Sequence, residues 1–248
     1  MELGYDSREA LCRTISPGDD FMTQDSERED PVADLRPHWD SCALVVIDVQ
    51  RDFLDGGASP VAGTSGVVPH IATLVSAFRA AGRPIAHVVR LYQPGGTDVD
   101  LPRRAMVHAG ARIVAPGSAG AEIPESVLPA RLDARALLSG EAQPVGPGEV
   151  VFFKPRWSAF YRTGLEGWLH ANGCDTVLVV GCNLPNCPRA TLFDASERDF
   201  RTVLAQDAVS QGTQERLADL ASIGVQITDV ARVLSALGEL GATRQGMS

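Results

Sequence analysis

Lysine is nearly missing from this chain: of its 22 basic residues, 21 are Arg and only Lys154 is Lys. Arg and Lys are not interchangeable where a compact ammonium is needed, so the single Lys marks a position to follow. No apolar run approaches the roughly 18 residues of a membrane span. The N-terminal MELGYDSREA lacks a signal-peptide pattern. The default expectation is therefore a cytoplasmic protein with no membrane partner. The five cysteines (12, 42, 174, 182, 187) form no Cys-x-x-Cys, which removes zinc-finger and disulfide-framework readings. The five histidines (38, 70, 87, 108, 170) form no His-x-His or His-Glu-x-x-His, so no metal is indicated. There is no GxGxxG, no GxxxxGK[ST] and no GxSxG elbow, and no cofactor is expected. Basic charge is also short. A formal net charge of −9 argues against a nucleic-acid partner, because nothing basic enough is present to follow a phosphate backbone.

What is present is an ordinary globular composition, 44% hydrophobic and 21% charged over 248 residues, enough for one large domain. The acidity is concentrated at one end. Residues 1–40 carry eleven Asp or Glu against four Arg and show little apolar periodicity. They read as an acidic N-terminal extension, flexible or at an oligomer contact, ahead of a globular domain over 41–240.

Within that domain, apolar runs of strand length fall at 42–48, 84–90, 149–153, 176–181 and 201–205. Runs this continuous suit strands buried on both faces of a parallel sheet. Helical spacing at Val67, Val68, Ile71, Leu74, Val75 and Phe78 separates the first two, and 165–171, 217–223 and 230–237 read as further helices. Alternation of this kind predicts an open α/β sheet whose chemistry gathers beyond the carboxyl ends of its strands. The Pro- and Gly-rich stretch 94–148 interrupts the rhythm and reads as long loops with one short helix, of the length used for lids or oligomer contacts.

Three polar residues end strands: Asp48 in VVIDVQRDF, Lys154 in VVFFKPRW and Cys187 in VLVVGCNLPNCPRAT. If Asn186 caps the next helix, Cys187 is its first residue. Its sulfur then sits over unpaired N–H groups, which with Lys154 nearby would favour thiolate and could hold an oxyanion. Asp48 would take the thiol proton and return it to a leaving group. The competing reading makes Cys187 a small core residue and Asp48 a turn former, with Asp52 as the local alternative. For Arg51, Arg90, Arg103 and Arg104 a solvated surface cation is the expected reading. Arg156 is the candidate grip on a substrate carboxylate, with Trp157 and Phe160 lining an apolar pocket. His87 reads as a core histidine.

The segments ALVVIDVQRDF, FKPRWSAFYRTGL, VLVVGCNLPNCPRATLFDASERDF and LAQDAVS together resemble, in order and spacing, the isochorismatase-like cysteine hydrolases, over about 41–237. That superfamily includes nicotinamidases, N-carbamoylsarcosine amidases, and ureidoacrylate, biuret and maleamate hydrolases. The resemblance implies an open, mostly parallel six-stranded α/β sheet with helices on both faces, a homodimer or homotetramer, and an Asp–Lys–Cys triad at Asp48, Lys154 and Cys187. It also implies a non-proline cis peptide between Cys182 and Asn183, which turns the Asn183 N–H towards an oxyanion hole shared with the Cys187 N–H. The sequence departs from the family at Leu184, Pro185 and Pro188. The nicotinamidase metal motif Asp-x-His-x-His is absent, the stretch reading HVVRLYQPGG.

These readings converge on a metal-free cysteine amidohydrolase that cleaves a carbon–nitrogen bond in a small amide, ureido or carbamoyl compound through a thioester. Two alternatives stay open. One is a vinyl ether hydrolase in which Cys187 is idle; the other is a non-catalytic relative that binds a ligand or uses Cys182 and Cys187 as a redox pair.

Overall fold

The computed structural model describes residues 33–96 and 98–245. Most of the expected acidic extension, up to residue 32, lies outside the described residues. Seven strands make one sheet: β1 (Cys42–Ile47), β2 (Ile85–Val89), β3 (Gln143–Gly146), β4 (Glu149–Phe153), β5 (Thr176–Gly181), β6 (Arg201–Val209) and β7 (Gln226–Thr228), in the order β3-β4-β2-β1-β5-β6-β7. Neighbours pair in parallel except β3 with β4. The expected six parallel strands are therefore present, and β3 is added antiparallel at the edge. Its sequence, QPVG, looked like loop because Pro144 cannot donate to a ladder, which only an edge strand tolerates.

Every residue of β1 and β5 is buried, the physical reason their sequences are unbroken apolar runs. Along β1, Cys42, Leu44 and Val46 face one layer while Ala43, Val45 and Ile47 face the other. The first layer holds α1 (Thr64–Ala80), through Ile71, Leu74 and Phe78, and α7 (Val230–Gln245), through Val230, Val233 and Leu237. The second holds α4 (Leu165–Ala171), α5 (Cys187–Ser196) and α6 (Gln214–Ser222). Each fully buried Leu or Ile in these layers stabilises the fold by about 1.5–3 kcal/mol. The 94–148 stretch is more ordered than its composition suggested, containing α2 (Leu101–His108) and α3 (Ala134–Leu138) besides β3.

The chain runs β1, β2, β4 in one direction and then returns to place β5 on the other side of β1. That reversal opens a crevice beyond the carboxyl ends of β1 and β5, where such sheets bind ligands. Close approach at this seam depends on Gly181, whose φ is +119° and where a Cβ would run into the Ile47 carbonyl oxygen. Gly181→Ala is accordingly expected to destabilise the protein by about 3 kcal/mol or more, read as a lower urea midpoint. An unchanged midpoint would show that the seam can relax.

Candidate active site

The ends of β1, β2 and β5 deliver side chains to one cavity of about 40 Å³. Asp48 follows β1, Arg90 follows β2, and Cys182, Asn183, Asn186 and Cys187 follow β5; all line the cavity. Lys154 follows β4 and reaches Asp48 from beneath, Nζ donating to Oδ2 at 2.7 Å and to the Arg156 carbonyl at 3.3 Å. Lys154 has no exposed surface and Asp48 only 4%, so this ion pair is out of water. Asp48 occupies the left-handed region (φ +52°), with its N–H on the Val88 carbonyl and its own carbonyl accepting from Gln50 N–H, both at 2.9 Å. The turn thus holds the carboxylate at the strand end. Its second oxygen, Oδ1, is buried without a hydrogen-bond partner.

Cys187 is the first residue of α5 and Pro188 the second, where a missing N–H costs nothing. Asn186 occupies the cap position, but its side chain makes no capping bond. The Cys182–Asn183 peptide is cis. The backbone N–H groups of Asn183 and Cys187 have no acceptor among the described residues, while Leu184 and Asn186 N–H groups nearby are bonded to Ser210 and Asn183 carbonyls. Both unbonded donors belong to residues that line the cavity.

The thiol differs from expectation. Burial, and next the charge of Asp48, push Cys187 up to about 11, against the opposing pull of Lys154 and Arg90. Burial and the Asp48 charge thus favour the thiol over the thiolate. Being raised, it ionises only as pH climbs well past the usual thiol range. At pH 8 its alkylation by iodoacetamide, followed by peptide mass mapping, should run about a hundredfold slower than for an unburied thiol and accelerate with pH. Fast labelling at pH 7 would contradict this.

Trp157 lines the cavity. Phe160 does not: it is 6% exposed in the second layer, 5.9 Å from the Phe200 ring and under the Arg198 guanidinium. Arg156 also turns away, pairing with Asp98 at 3.0 Å and donating to the Pro155 carbonyl at 2.7 Å. Asp52 is occupied elsewhere, accepting from Val114 and Ala58 N–H groups to hold loops together. His87 is a core residue, 2.6 Å from Glu149.

Arg90, expected at the surface, is 3% exposed. It donates from Nη1 to Asp100 Oδ1 at 3.0 Å, and Asp100 also accepts from Tyr92 at 2.8 Å. The fully buried Gln50 accepts from Arg90 N–H and donates to the carbonyls of Arg90 and Ala121, fastening the ends of β1 and β2 together. No local pattern singles out Gln50 or Asp100. Arg90 did end a strand, the same signal that exposed Asp48 and Lys154.

The chain is similar to several known proteins. The isochorismatase domain family model matches residues 42–232. A ureidoacrylate amidohydrolase of Methylobacterium radiotolerans is 28% identical over 79% of this chain and 79% of its own length. A maleamate amidohydrolase of Pseudomonas putida is 31% identical over 80% of this chain and 86% of its own. A protein of Arabidopsis thaliana described as a probable inactive nicotinamidase is 31% identical over 77% of this chain and 94% of its own. Among solved structures, an isochorismatase family protein from Desulfovibrio vulgaris superposes with a TM-score of 0.67 at 34% identity, over 82% of this chain and 98% of that one.

Proposed function

Because the chain belongs to the isochorismatase family, we propose that it is a cysteine amidohydrolase cleaving a carbon–nitrogen bond of a small amide, ureido or carbamoyl compound. The observation that carries this reading is the convergence of a thiol, a Lys-paired carboxylate with one unbonded oxygen, and two unbonded backbone N–H groups on one cavity. Two of the similar proteins are amidohydrolases, which supports the same chemistry.

In this mechanism Cys187 Sγ attacks the carbonyl carbon while its proton passes to Asp48. Because burial and the Asp48 charge favour the thiol, proton transfer to Asp48 accompanies the attack in this reading. The negative oxygen of the tetrahedral species takes hydrogen bonds from the Asn183 and Cys187 N–H groups. Asp48 then protonates the departing nitrogen, the C–N bond breaks, and an acyl thioester remains. Water adds to it with Asp48 again accepting a proton; the C–S bond then breaks, and Asp48 returns that proton to sulfur, which releases the acid and restores the thiol. Lys154, hydrogen-bonded to Oδ2, holds the Asp48 carboxyl group in place for each transfer. The ether-hydrolase reading leaves the thiol and both N–H groups without work.

The test is release of ammonia from a panel of primary amides, ureido acids and carbamoyl amino acids, with pyruvate release from isochorismate as the opposing assay. Ammonia from one chemical class supports the proposal. Pyruvate without ammonia overturns it.

A further inference from the structure

Two guanidinium groups border the Cys187 cavity, and one of them has an unused edge. Arg90 is held at both ends, its backbone by Gln50 and its Nη1 by Asp100 and, at 3.2 Å, by the Pro155 carbonyl. Its Nε is buried with no partner, and Nη2 has no acceptor among the described residues. Nε and Nη2 are the parallel donors of the guanidinium fork that matches a carboxylate. A buried charged donor left unsatisfied is uncommon enough to need a cause.

Arg103, in the first turn of α2, borders the same cavity, and its side chain has neither an ion pair nor a hydrogen bond among the described residues. The carboxylates here are already engaged, Asp48 by Lys154 and Asp100 by Arg90 and Tyr92. Counting Lys154 beneath Asp48, three cations face two anions, and the excess positive charge falls beside the nucleophile.

We propose that Arg90 and Arg103 are the specificity-determining residues of the site and receive a carboxylate on the substrate. This deepens and rests on the amidohydrolase reading. The substrate class becomes a short amide acid whose carboxylate lies a few bonds from the carbonyl that Cys187 attacks. The small cavity, about 40 Å³, and the presence of Arg90 and Cys187 in one lining set that limit on length. The role expected for Arg156 passes to this pair.

The experiment is calorimetric titration of the Cys187→Ala protein with oxamate, malonamate and succinamate, and with the neutral diamides oxamide, malonamide and succinamide as shape-matched controls. At least one acid should bind about tenfold or more tighter than its diamide, as a charge-assisted pair provides. Arg103→Gln in the same background should remove most of that preference. Arg90→Lys, which keeps the charge but loses the fork, should weaken the acid more than the diamide; Arg103→Gln stands as the deciding variant should Arg90→Lys fail to fold. Equal affinity for acids and diamides, no binding by any acid, or a preference that Arg103→Gln leaves intact overturns the proposal. Ammonia release by the unsubstituted protein separates the two readings. Acid-selective binding without turnover would keep the carboxylate receptor and refute the amidohydrolase, whereas turnover of diamides alone would do the reverse.

Discussion

Cys187→Ala is expected to lower turnover of any amide substrate by about 10⁴-fold or more while leaving the unfolding midpoint nearly unchanged. The large effect follows from what remains. Without sulfur there is no thioester, and water would have to attack the amide directly with only Asp48 as base. The small structural effect follows from position. Cys187 is 7% exposed and begins α5, so loss of one sulfur atom removes little packing and leaves the Asp48–Lys154 pair at 2.7 Å. Cys187→Ser separates the nucleophile from its shape. It restores a hydroxyl at the same place, yet Asp48 is a far weaker match for an alcohol proton than for a thiol, so activity should stay low. Measured as ammonia release per enzyme, activity that survived Cys187→Ala would refute the thioester route. Pyruvate release surviving the same change would point to the ether reading.

The parts of the site legible in the sequence are those whose position follows from a strand end. Asp48, Lys154 and Cys187 each close an apolar run or follow it closely, and parallel pairing of β4, β2, β1 and β5 brings them to one crevice without further information. The sequence rule placed Arg90 at a strand end too, but a lone Arg there is usually solvated. What buries it is Asp100, which arrives from a loop with no periodic pattern to read. Phe160 and Arg156 failed for a related reason. Being a few residues from Lys154 fixes neither direction nor partner, and both turned to neighbours distant in sequence, Phe200 and Asp98. Edge strand β3 was hidden by its proline, and β7, three residues long, gives no alternation to detect.

Lys154→Met should destabilise the protein by about 3–5 kcal/mol, the largest stability effect expected of a single change at the site. The reason is asymmetry. Lys154 has no exposed surface, and its ammonium is the hydrogen-bond partner of Asp48 Oδ2, while Oδ1 already has none. Removing the ammonium leaves a carboxylate out of water with no hydrogen bond at either oxygen. Asp48→Asn on its own strands the ammonium in the same way. The double variant Asp48→Asn, Lys154→Met removes both charges together and should recover most of the loss, to within about 1–2 kcal/mol of the original protein, because a buried ion pair contributes little net stability over a neutral pair of similar shape. Urea unfolding of the four proteins measures the cycle, and a double variant no more stable than Lys154→Met would refute the pairing argument. Activity should be lost in all three variants, including the restabilised one. That combination distinguishes a pair kept for proton transfer from one kept for folding. It also explains the composition. A chain that uses Arg for 21 of its 22 basic residues retains its one Lys where the compact ammonium sits fully buried against a carboxylate, a slot too tight for a planar guanidinium with five donors to satisfy.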